Sequence, residues 1–217
     1  MQPTTIAYLI CFLPLISIHG CWLWSSGLQL IPWCNPYWDG CVSISKAARV
    51  SDAIYLFKAS MIFSAGYMVI YWQVCQAFLR REVKQRAHGR IVSFLGVTGA
   101  IFLVLYATYL GTEGDIYRLM RRYGVIIYFT FTALAQMIFY RSLKHYPEAE
   151  HYPPITYMLV LLSGILIVGL VSLGATLTQE NPAKDRWENT TEWWFALMMT
   201  LNFGLTGWLW KRVRFRL

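Results

Sequence analysis

A few ionisable and hydroxyl-bearing side chains stand beside long apolar runs, where a charge is costly unless it is used. Asp52 and Lys58 lie six positions apart where one such run begins. Arg118, Arg121 and Arg122 precede another, and Glu192 opens a third, with Asn202 ten positions further on. His19 sits within the first run, and Ser43, Ser45 and Ser51 supply hydroxyls just upstream of Lys58. An ionisable group at membrane depth points to function or to a buried partner, unless it snorkels back to the surface on its own stem. On a helix starting near Ser51, Lys58 would sit about 10 Å below the boundary. There it could pair with Asp52 or Glu192, or hold the phosphate or carboxylate of a lipid headgroup. Arg122 and its neighbours could do the same with better geometry, because a guanidinium meets a phosphate through two parallel hydrogen bonds.

Other chemistries have less to work with. Acyl transfer or hydrolysis of a lipid would need a base, and His19 and Glu192 are the candidates, but no GxSxG elbow presents a nucleophile. The remaining histidines, His88, His145 and His151, have no HExxH or similar spacing, so no metal site and no cofactor is implied. The span interiors lack paired carboxylates, which leaves a proton-coupled transporter little to use. A third reading makes the polar cluster structural and the protein a subunit or scaffold for a membrane-protein partner.

The elements that must position these residues are hydrophobic spans. Of 217 residues, 57% are hydrophobic and 14% charged, a balance outside the range of soluble domains. Six windows reach the roughly 20 residues a crossing requires: about 5–25, 52–79, 91–111, 124–143, 155–178 and 193–210. The expected fold is therefore all-α, a single polytopic bundle of six transmembrane helices over residues 1–217. The first window has no basic residue before it and is broken by Pro14 and His19, so it reads as a retained span with a kink at the proline, and not as a cleaved signal. Pairs of small residues, Gly96 with Gly99 and Gly164 with Gly169 and Gly174, suit close helix approach. Trp193, Trp194, Trp208 and Trp210 bracket the last window as interface anchors.

Charge sets the orientation. Segments 80–90, 141–154 and 211–217 carry eleven basic and three acidic residues, counting Glu82, Glu148 and Glu150, whereas 26–52, 112–123 and 179–192 carry seven basic and eight acidic. The positive-inside rule places the first set, and with it both termini, in the cytoplasm. The net charge of +8 thus reports topology, and nucleic acid is not an expected partner; membrane lipids are. The location is a bacterial inner membrane or a eukaryotic endomembrane or plasma membrane. On the outer side Cys34 and Cys41 are placed to form a disulfide around Pro36 and Gly40, worth roughly 2 kcal/mol to the loop; two free thiols are the alternative. Asn189-Thr190-Thr191 is a glycosylation sequon close to the last span.

The run VSISKAARVSDAIYLFKASM, with Ser43, Ile44 and Ser45 followed by Phe57 and Lys58, resembles the first-loop signature of the six-span FRAG/DRAM/SFK family. Two further segments are similar to that family. DIYRLMRRYGVIIYFTFTALAQ resembles its fourth-span start, with Arg122 and Tyr123 before Gly124 where eukaryotic members have His-Asp. TEWWFALMMTLNFGLTGW resembles its sixth-span start through Glu192, Trp193 and Asn202. Val42 replaces the family's proline before the Ser-Ile-Ser segment, and the resemblance is to the bacterial-like branch. The family includes GPI-anchor lipid-remodelling factors, ceramide remodellers and DRAM autophagy modulators. The resemblance implies a factor that binds, remodels or organises membrane lipids, with Ser43, Ser45, Asp52, Lys58, Arg122, Glu192 and Asn202 around a headgroup at the outer face.

Overall fold

The computed structural model describes residues 2–147, 149–180 and 183–217. Glu148, counted among the inner charges, and residues 181 and 182 of the last outer loop lie outside the described residues. The regular structure among the described residues is all helical: α1 (Pro3–Gly27), α2 (Ile44–Arg49), α3 (Ala53–Arg81), α4 (Arg86–Tyr109), α5 (Asp115–Leu143), α6 (Pro153–Thr178) and α7 (Ala183–Arg212), with one 3-10 turn at Ala149–His151. Five of these, α1, α3, α4, α5 and α6, are long and apolar enough to cross a membrane. Each of the six expected windows corresponds to one long helix, with 52–79 beginning one residue before α3 and 91–111 running two residues past α4. At most other ends the helices outrun the windows, because charged residues such as Arg118 and Glu188 ride on helical turns past the apolar stretch.

Local chemistry explains the ends. Pro3 and Pro153 occupy the first position of α1 and α6, where a missing N–H costs nothing and the ring presets φ. Ser43 caps α2 by accepting the Lys46 N–H at 3.2 Å. After α7 the chain makes a Schellman turn: the Phe215 N–H donates to Trp210 O at 3.0 Å, the Arg214 N–H to Lys211 O at 3.3 Å, and the Phe215 and Trp210 rings pack 5.9 Å apart. Pro14 lies inside α1, which runs through it unbroken from Pro3 to Gly27.

The long helices pack in the order α6, α7, α1, α3, α4, α5, while α5 and α6, though consecutive, touch only lightly. The arrangement is therefore a ring with one loose seam. Around the ring, small residues let backbones approach. A Cβ on Gly96 of α4 would fall 2.1 Å from the Trp72 ring of α3, and one on Gly99 would fall 2.9 Å from Thr132 Oγ1 of α5. At the end where both chain termini meet, aromatic side chains fill the centre. Tyr71 packs 4.9 Å from Trp72 and 5.1 Å from Phe203, Phe78 packs 4.9 Å from Phe215, and the Tyr71 hydroxyl donates to Thr206 Oγ1 at 3.0 Å.

α7 is the most polar of the long helices, and burial accounts for that. Trp193, Phe203, Leu209 and Trp210 are fully buried, so much of this helix meets protein. Trp193 and Trp210 are core residues, which corrects their assignment as interface anchors; Trp194 and Trp208 are half-buried.

Candidate functional site

The segment between α1 and α3 is folded onto α7 as a small brace. Cys34 and Cys41 are joined in a disulfide. Within that ring Asn35 N–H donates to Asp39 Oδ2 at 2.8 Å and Tyr37 N–H to Asn35 Oδ1 at 3.1 Å. Four side chains of α7 then bind the loop's carbonyls: Arg186 Nε to Asp39 O (3.2 Å), Asn189 Nδ2 to Gly40 O (2.9 Å), Trp193 Nε1 to Val42 O (2.9 Å) and Trp194 Nε1 to Tyr37 O (3.0 Å). The sequon nitrogen of Asn189 is thus occupied by the fold. On the other side Ser25 of α1 donates to Ala47 O at 2.7 Å. Held from both sides, α2 buries Ile44, Ala47 and Ala48 and turns Ser45 and Arg49 towards a cleft.

That cleft, about 740 Å³, lies along the seam between α5 and α6. Its mouth carries Arg49 from α2, Arg118, Arg121 and Arg122 from α5, and Glu188 and Glu192 from α7. Its walls are apolar, with Val125, Ile126 and Phe129 facing Val168 and Gly169 of α6, and Phe195 at the back. A second, smaller cavity of about 40 Å³ continues inward past Tyr106, Val125, Phe129 and Glu192 to Phe57, Met61 and Met199. The whole has an amphiphile's polarity: a cationic mouth above an apolar trough.

The charges at the mouth are not equivalent. Arg121 Nη1 donates to the carbonyls of Tyr109 and Thr112, so it ties the end of α4 to α5. Arg118 lies 3.6 Å from Asp115 with both side chains largely in the open, a pairing worth little. Glu188 has Lys184 at 3.9 Å and accepts from Thr176 Oγ1 at 3.2 Å. Glu192 is faced by the backbone N–H groups of Ile44 and Ser45. Among the described residues Arg49 and Arg122 form no ion pair within 4.0 Å, which leaves two guanidiniums, on separate helices, for an anion.

The structure brings together Ser45, Arg122 and Glu192 of the expected headgroup residues, and Ser43 supports them by capping α2 and lying 3.2 Å from Ser45 Oγ. It does not bring Asp52, Lys58 or Asn202 into the cleft. Asp52 is exposed before α3; Lys58 is half-buried and lines neither the cleft nor the cavity to which its neighbour Phe57 contributes; Asn202 is buried within α7, its Nδ2 without a partner among the described residues. His19 is held in place: one ring nitrogen, Nδ1, lies 2.7 Å from Leu15 O, and Nε2 lies 2.8 Å from the Tyr37 hydroxyl. Burial pushes the Tyr37 phenol up to about 12, so it stays a hydroxyl that can donate to the imidazole. Arg49 escaped the sequence reading, although Ser43, a favoured N-cap residue, ahead of the helix-compatible run ISKAAR is the signal that could have announced α2.

No family model matches the chain, and neither a curated protein nor a solved structure matches it. The five apolar helices suggest a membrane-embedded protein.

Proposed function

We propose that this is an integral membrane protein of six crossings, both termini cytoplasmic, whose outer-face cleft binds the phosphate-bearing headgroup of a membrane lipid. The observation that carries the reading is the pairing of two unpaired guanidiniums, Arg49 and Arg122, with an apolar trough that opens sideways between α5 and α6. A soluble anion would need only the first; a lipid uses both, its phosphate at the mouth and a chain in the seam. Several features support six crossings with α7 as the last. Gln2, Thr4 and Tyr8 line one cleft with Lys211, Arg214 and Leu217, so both chain ends lie at the same end of the bundle, as an even number of passes requires. The basic segments 80–90, 141–154 and 211–217 favour the cytoplasm for that end. The likeness of the Ser43–Lys58, Arg122–Gly124 and Glu192–Asn202 segments to the FRAG/DRAM/SFK family agrees with a role in binding or remodelling lipids.

Native mass spectrometry of the purified protein tests the reading. Arg49→Gln and Arg122→Gln each remove one charge-assisted contact worth roughly 1.5–3 kcal/mol, so the affinity of one bound anionic phospholipid falls about tenfold or more in either variant. Lys58→Ala, outside the cleft, leaves it unchanged. Equal retention in all three variants and the parent refutes the headgroup assignment.

A further inference from the structure

A second cleft, about 810 Å³, lies at the opposite end of the bundle, where the chain ends meet. Thr4, Thr5 and Tyr8 of α1 form one wall and Lys211, Arg214 and Arg216 the other; no Asp or Glu lines it among the described residues. Three features give it the character of an anion site. α1 begins here without a side-chain cap; Pro3 carries no N–H and the Thr5 N–H bonds Gln2 O at 3.0 Å, so Thr4 supplies the helix-start N–H. Trp210, also in the wall, is fully buried, yet its Nε1–H has no hydrogen-bond partner among the described residues. The third is the turn after α7. Its left-handed position, where glycine is the ordinary occupant, is held by Arg214 at φ 52°. A side chain there is disfavoured on backbone grounds, and the one present adds a guanidinium to the cleft wall.

We infer that this cleft is a second lipid site, taking the phosphate of an anionic phospholipid from the leaflet at the end of the bundle that holds the termini. Lys211, Arg214 and Arg216 neutralise the phosphate, and the neighbouring Tyr8 and Phe215 rings meet the glycerol and upper chain. A basic helix end can also attract an anionic membrane as diffuse surface charge, but that attraction would not distinguish Arg214 from Arg212. Arg212, two positions earlier, lies outside the cleft with its guanidinium 5.8 Å from the Trp208 ring.

The test is carried out on the full chain in detergent, in an Arg49→Gln/Arg122→Gln background, so that the seam cleft contributes nothing to the signal. If that background binds lipid as the parent does, the seam reading fails on its own and the inference at the termini is untouched. The probe is a short-chain phosphatidylglycerol, with phosphatidylcholine of the same chain length and free glycerol 3-phosphate alongside. The readout is the shift in melting temperature across a titration. Phosphatidylglycerol is expected to stabilise, and Arg214→Gln to weaken its apparent affinity about tenfold, while Arg212→Gln has no effect. Arg214→Gly separates folding from binding: the unliganded protein melts at the same temperature or higher, because glycine suits the left-handed turn, yet it loses the lipid response. Equal losses in Arg212→Gln and Arg214→Gln, or an undiminished lipid response in Arg214→Gly, overturn the site. Stabilisation by glycerol 3-phosphate as strong as by the lipid overturns its assignment to a membrane source.

Discussion

Gly40 is where the disulfide loop packs closest on α7, and Gly40→Ala should disable the proposed headgroup site without disturbing the bundle. Two costs combine. The backbone at Gly40 has φ 58°, which an L side chain occupies at a penalty of roughly 1–2 kcal/mol. The added methyl would also fall 2.1 Å from the Arg186 carbonyl oxygen, a helical backbone atom that cannot step aside. The loop must lift instead, breaking the bonds from Asn189 to Gly40 O and from Arg186 to Asp39 O at about 1 kcal/mol each. The sum is about 3 kcal/mol against docking, or roughly a hundredfold shift towards the undocked loop. Because Val42 and Ser43 follow directly, α2 loses part of its anchorage, and Ser45 and Arg49 lose their placement with it. Hydrogen exchange is the direct assay. Amides of residues 35–42 should exchange about a hundredfold faster, those in the middle of α3 and α4 should be unchanged, and anionic lipid retention should fall. Gly27→Ala, where a Cβ meets nothing within 4 Å, is the silent control. Native-like protection of residues 35–42 in Gly40→Ala, or loss of protection without loss of lipid, would refute the chain of reasoning from loop to cleft.

Two further expectations follow from single contacts. Gly96→Ala drives a methyl against three Trp72 ring atoms at 2.1–2.3 Å in a filled core, so thermal stability should drop by about 1–3 kcal/mol, whereas Gly66→Ala, with open space at its Cβ, should be neutral or stabilising. Tyr37→Phe leaves His19 Nε2 unpartnered and should cost about 1–3 kcal/mol. Its pH signature has a definite sign. Burial raises the Tyr37 hydroxyl from 10 up to about 12, so its contribution is complete below pH 10 and is lost as pH rises through the folded value. Alkaline melting curves of parent and Tyr37→Phe should converge above that range, and curves that stay parallel would exclude Tyr37 as the source.

The helices were legible because apolar windows of about 20 residues have few other uses. The cleft was legible only in part, for reasons visible in particular residues. Arg122 and Glu192 carry charge beside apolar runs, which is a signal in itself, and Ser45 lies in a quoted motif. Lys58 carries the same signal, but it lies outside the residues that line the cleft, while its neighbour Phe57 contributes to the cavity wall. Arg49 is invisible to a reading based on span ends because it belongs to a helix of six residues, shorter than any hydropathy window. The reading of Trp193 as an interface anchor failed for a related reason. The same amphipathic ring that suits an interface also suits a core that offers its N–H a carbonyl, and Val42 O, which does so for Trp193, comes from a loop 151 positions away.

Packing along the bundle then bears on how a lipid could be held and released. At the end with the termini, Tyr71, Trp72, Phe203 and Trp210 interlock α3 with α7, and Gly96 lets α4 close on Trp72, which leaves little freedom there. Between α5 and α6 the ring is closed only by light contact, and Gly169 beside the cleft has open space at its Cβ. Local opening costs least where few apolar contacts cross, so the seam is the place where the bundle can widen while the aromatic half holds its register. A lipid that parts α5 from α6 gives up few protein contacts and meets Arg49 and Arg122 at the mouth. An equal opening between α3 and α4 would expose Trp72 and forfeit the close approach at Gly96. The physical cost of access therefore favours the seam that the arginines of α2 and α5 flank.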